Sequence, residues 1–79
     1  MEVIFASGVF EEVSTSAGYY ENELDGLGSA FLEHLRDAIE DIKEHPLAYR
    51  VIRDDFRRHL LIRFPYGVVY RIDDNTVYV

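Results

Sequence analysis

Pro46 divides this sequence into two stretches with different hydrophobic periods, and that division limits what the chain can fold into. Before it, Phe10, Val13, Ala17, Tyr20 and Leu24 recur at alternating three- and four-residue steps, the spacing of one face of a helix. A second such stripe runs through Leu27, Phe31, Leu35, Ala38 and Ile42. Asp25-Gly26 separates the two, because glycine tolerates the left-handed backbone that ends a helix. The second helix is expected to stop near Glu44-His45, since a proline disfavours helical geometry in the residue before it.

After Pro46 the repeat is two residues. Leu60, Ile62 and Phe64 alternate with His59, Leu61 and Arg63, and Val68, Tyr70 and Ile72 alternate with Gly67, Val69 and Arg71, so strands are expected on both sides of a Pro65-Tyr66 turn. Asp73-Asp74-Asn75 is a second polar turn and Thr76–Val79 a third strand. Val3–Phe5 reads as a short strand ahead of a helix start at Ser7-Gly8, and Tyr49–Ile52 as an edge strand with Arg53-Asp54-Asp55 as its exit. The expectation is an α+β fold: an N-terminal strand, a helical hairpin and an antiparallel meander, all in one domain over residues 1–79.

A chain of 79 residues buries only about 60% of its unfolded surface, and with no cysteine it has no disulfide to compensate. Small size and exposed strand edges make a covering partner, or a homodimer, an expectation. No apolar stretch reaches the length of a bilayer, and the N-terminus lacks the basic start and cleavage site of a secretory signal, so a cytoplasmic protein without membrane contact is expected. The net charge of −7 is unevenly placed. Residues 1–49 hold eleven acids against Arg36 and Lys43, or −9, while residues 50–79 hold six arginines against four aspartates, or +2. An acidic chain with dispersed arginines argues against direct nucleic-acid binding.

Four segments then arrive in order: Ala17-Gly18-Tyr19-Tyr20-Glu21, Gly26-Leu27-Gly28-Ser29-Ala30-Phe31, His45-Pro46-Leu47-Ala48-Tyr49, and the run from Arg57 to Ile72 that reads RRHLLIRFPYGVVYRI. Together they resemble the ParE-like branch of the RelE/ParE toxin superfamily, over nearly the whole chain. The resemblance implies a helical hairpin on a curved antiparallel sheet. It also implies a plasmid-stabilisation type of toxin held silent by a cognate antitoxin, with DNA gyrase the target in ParE-like members and ribosome-bound mRNA in others. In the mRNA-cleaving members a basic residue follows the tyrosine that opens a strand; here Gly67 follows Tyr66. The family's other catalytic positions lie on a last strand and basic tail for which this sequence has no counterpart. The resemblance therefore implies a toxin, or a non-toxic binding module of the same fold, more than an endonuclease.

The densest cationic group is Arg57, Arg58, His59, Arg63 and Arg71. Arg57, His59, Arg63 and Arg71 are the candidates for catalysis, His59 as a general base because an unperturbed histidine titrates near neutrality. Strand alternation is expected to put Arg57, His59 and Arg63 on one face and Arg58 with Leu60, Ile62 and Phe64 on the other. The group could contact RNA phosphates, gyrase or an acidic antitoxin segment; alternatively, the arginines pair with the acidic helices and keep the sheet edge soluble. Candidate partner-binding residues are Arg57, Arg58, Arg63 and Arg71, with Tyr19 and Tyr49 beside them, while Tyr20 and Tyr70 fall on the apolar stripes and are expected in the core. His34, His45 and His59 have no ligand spacing, and no metal or cofactor is expected.

Overall fold

The two helical stripes become α1 (Val9–Glu23) and α2 (Leu27–Glu44) in a computed structural model that describes residues 2–79. α2 carries the core, burying Phe31, Ala38 and Ile42, whereas α1 leaves no residue fully buried and half-buries Val13, Ala17 and Tyr20 against its partner. Two members expected on the first stripe lie outside the core, since Phe10 is 70% and Leu24 64% exposed. Leu24 follows the helix in extended geometry, its N–H donating to the Tyr20 carbonyl.

The junction explains two of the short segments noted above. Gly26 adopts φ 86°, which a side chain would resist, and α2 has no side-chain cap of its own. The Glu21 carboxylate of α1 serves instead, accepting from the N–H of Gly26 at 3.0 Å and of Gly28 at 3.1 Å. A carboxylate there satisfies two of the donors a helix start leaves open and sits at the positive end of its dipole. The helices also approach closely at Gly28: a Cβ on it would lie 2.7 Å from the Ala17 carbonyl oxygen.

The strands are β1 (Glu2–Ile4), β2 (Arg50–Arg53), β3 (Phe56–Leu60), β4 (Gly67–Asp73) and β5 (Thr76–Tyr78), in the spatial order β1-β5-β4-β3-β2. β1 runs parallel to β5 and every other pair is antiparallel. Asp54, Asp74 and Asn75 take left-handed backbone in the two tight turns, which short polar side chains tolerate better than others. The helices cover the sheet face that presents Val68, Tyr70 and Val77, all buried.

One strand differs from expectation. β3 ends at Leu60, so residues 61–66 form an irregular turn and the alternation read through Phe64 breaks. Leu61 is buried and Ile62 is 91% exposed, the reverse of the expected phase, and Phe64 re-enters the core beside Phe31 and Tyr20 with ring centroids 5.3 and 4.8 Å away. Three consecutive apolar residues at 60–62 carry no phase of their own, and the aromatic cluster decides which of them turns inward.

Candidate functional site

Alternation along β3 sends neighbouring cations to opposite sides of the sheet. Arg57 and His59 face the helices, and Phe56, Arg58 and Leu60 face solvent. The inward pair is engaged within the chain. Arg57 donates to the carbonyls of Leu47 at 3.2 Å and Tyr49 at 2.7 Å, and His59 Nε2 meets Asp41 Oδ2 of α2 at 3.2 Å. Tyr49 stacks on the His59 ring at 4.0 Å, and the buried Tyr70 hydroxyl donates to the Pro46 carbonyl at 2.6 Å. These contacts bind the loop between α2 and β2 to the sheet. Arg63 does not share the face of Arg57 and His59, as alternation had suggested; it stands exposed in the turn after β3, because the strand has already ended.

The solvent face collects a different set. Cross-strand partners point the same way, so Arg50 lies on the side of its partner Arg58, Arg53 with Phe56, and Arg58 with Val69. Arg71 follows Val69 by two residues on β4 and lies 4.6 Å over the Tyr78 ring. Arg50, Arg53, Arg58 and Arg71 therefore share one uncovered face with Phe56, Leu60, Val69 and Tyr78. Arg50 and Arg53 were not singled out in the sequence; the bulge between Val51 and Arg53 places both of them on this side, and a count of alternate residues misses it.

Only Arg71 of these has a carboxylate within reach, Asp73 at 3.5 Å; among the described residues no ion pair joins an arginine to the helices. The expectation that the arginines neutralise the acidic helices is thus corrected. The sheet stands between the arginines of that face and the acidic helices, and of the cations on β3 it is His59 that meets a helix carboxylate, Asp41. Like charges directly opposite, as at Arg50 and Arg58, cost stability in a sheet.

A second surface lies on the helix side. Between the hairpin and the first residues of β4 runs an open apolar groove of about 480 Å³, walled by Phe5, Phe10, Leu32, Leu35 and Ile39 and ending at Val79. Phe5 and Phe10 lean together at 5.3 Å. Tyr19 is 61% exposed, whereas Tyr49 is half-buried under His59 and presents little free surface. Gly67 opens β4, and the Arg58 stem crosses it, within 3.1 Å of where a Cβ would lie.

The tyrosine hydroxyls of this region ionise late. Burial pushes the Tyr70 phenol above its ordinary 10.0, the Arg57 guanidinium opposing and Tyr49 adding to the rise. Burial does the same at Tyr66, where a Ser16 hydrogen bond opposes and Glu12 adds, and at Tyr49, where Asp41 and Glu44 add. The folded state holds these protons more firmly than the unfolded chain, so their contribution is complete below a pH of about 10 and declines above it. Urea unfolding midpoints should fall above that pH as the ultraviolet signal of phenolate rises, and Tyr70→Phe should lessen the fall.

A helical hairpin on one face of a five-stranded sheet, with an arginine-rich face opposite, defines a small α+β protein. The chain belongs to the ParE toxin family, the toxin of the type II toxin–antitoxin system parDE, whose family model matches residues 8–79. No curated protein matches the chain. No helix among the described residues is long and apolar enough to cross a membrane.

Proposed function

We propose that this chain acts in the cytoplasm as a single-domain toxin that is neutralised when a cognate antitoxin covers its arginine-bearing sheet face and its apolar groove. The observation that carries the reading is the set of Arg50, Arg53, Arg58 and Arg71 on an uncovered face, with Arg50 opposite Arg58 and the acids of the two helices on the far side of the sheet. An acidic segment laid over that face removes the repulsion and desolvates the exposed Phe56, Leu60 and Val69. Gly67 supports a protein target such as DNA gyrase over phosphodiester cleavage, since it offers no side chain to stabilise charge at a phosphate. Arg57 and His59, occupied with Leu47, Tyr49 and Asp41, fit a positioning role better than a catalytic one.

Induced expression in bacteria tests the reading. Growth arrest relieved by the adjacent antitoxin is expected, with filamentous cells pointing to gyrase and rapid loss of translation pointing to mRNA. Arg50→Glu with Arg58→Glu should weaken antitoxin binding at least tenfold, on the order of 1.4 kcal/mol or more. Unimpaired growth without the antitoxin would instead identify a non-toxic member that retains the fold for binding.

A further inference from the structure

The two layers of this protein carry opposite charge on surfaces that look in opposite directions. α1 and α2 hold nine acids against Arg36 and Lys43. Several of those acids are engaged within the chain: Glu21 caps α2, Glu12 accepts from the Tyr66 hydroxyl, and Asp41 meets His59. Glu33, Asp37, Glu40 and Glu44 on α2 are all exposed, and among the described residues only Glu40 of these has a cation in reach, Lys43 at 3.7 Å. Their steps of four, three and four residues form one stripe along the helix. At about 100° per residue that stripe lies opposite the buried Phe31, Ala38 and Ile42, so it points away from the sheet.

The outer face of the sheet is its counterpart. Arg50 stands opposite Arg58, and Arg53 opposite Phe56, which the β3–β4 register places in line with Arg71. With strands about 4.8 Å apart and two residues covering about 6.8 Å, these four side chains rise from a patch on the order of 10 Å across. The α2 stripe sets an acid about every 5–6 Å along about 16 Å of helix, a matching scale. Arg50, Arg53 and Arg58 meet no carboxylate among the described residues. We infer that a second copy of this chain lays its α2 stripe across this face, desolvating Phe56, Leu60 and Val69 beneath it. Each copy then keeps a free arginine face on one side and a free stripe on the other, so the contact is head to tail and repeats as an open stack instead of closing as a dimer. Two arginine faces, or two helix faces, would set like charges against each other, which disfavours the symmetric arrangements. The net charge of −7 opposes approach at long range, but screening over about 8 Å in physiological salt leaves the local contacts in control. The inference follows from the placement of charge alone and does not depend on the toxin reading.

Sedimentation equilibrium of the 79-residue chain is the test. In about 0.15 M salt the average mass is expected to climb past that of a dimer as concentration rises through the high micromolar range, and to return to that of a monomer in about 1 M salt. Two variants at exposed sites decide the geometry: Arg50→Gln with Arg58→Gln, and Glu33→Gln with Asp37→Asn and Glu44→Gln. Each alone should stay monomeric, its self-association weakened at least tenfold. An equal mixture should form a one-to-one pair and stop, because the first variant still offers its stripe and the second its arginines. Neutralising Arg50 and Arg58 also removes a repulsive pair, so assembly is lost there without loss of the fold. A parent chain that is monomeric at every concentration leaves the face to a different partner and overturns the inference. So does a parent that stops at a dimer or persists as an assembly in high salt, a variant that still assembles alone, or a mixture that stays monomeric.

Discussion

Phe31→Ala is expected to remove a large share of the protein's stability. Phe31 is wholly buried and lies within about 5 Å of three other rings, with centroid distances of 5.1 Å to Tyr20, 5.3 Å to Phe64 and 5.1 Å to Tyr66. Truncation removes the central ring of a cluster that joins both helices to the turn after β3. Such a change costs roughly 3–5 kcal/mol, the larger part of it where neighbours cannot collapse into the space. A domain of this size has on the order of 4–12 kcal/mol in all, at about 0.05–0.15 kcal/mol per residue. Urea denaturation of Phe31→Ala and Phe31→Leu should separate lost volume from lost ring stacking, the leucine variant retaining the greater share. A loss below about 1 kcal/mol for the alanine variant would contradict the central place given to this ring.

Gly28→Val should loosen the helical hairpin without touching the sheet. Its Cβ would fall 2.7 Å from the Ala17 carbonyl oxygen and 3.0 Å from Glu21, and backbone cannot yield as a side-chain tip can. Forcing the helices apart also lengthens the bonds from Glu21 to the start of α2. The expected loss is about 1–3 kcal/mol, which for a domain of this size lowers the thermal midpoint by on the order of 10 °C. Gly18→Ala is the matched control: it lies in α1 with nothing within 4 Å of the added carbon, and replacing a helical glycine should raise stability by about 0.5–1 kcal/mol. Equal effects at the two glycines would rule out close packing as the reason for Gly28.

Before Pro46 the sequence is explicit, because helical contacts are local and a three-four spacing writes the buried face directly onto the chain. Both helices, the break at Gly26 and the inward Phe31, Ala38 and Ile42 follow from it. The alternation of Val68, Tyr70 and Ile72 likewise marks the inner side of β4, and Asp73-Asp74-Asn75 its turn. The ordered segments around these residues also carry the family, which the match over residues 8–79 bears out.

What the sequence left open depends on partners distant along the chain. Leu60, Leu61 and Ile62 are interchangeable until the aromatic cluster admits one of them, and Leu61 is the one buried. The six arginines after residue 49 look like one cluster in sequence. Strand pairing and one bulge divide them between loop clamp, turn and solvent face, since a shift of a single residue reverses the face of a side chain. The parallel pairing of β1 with β5 joins the two ends of the chain, and no local pattern encodes it. Local periodicity therefore marked the helices and most of the core, while the faces on which the arginines stand, set by register and by what each sheet face meets, were decided by the tertiary structure alone.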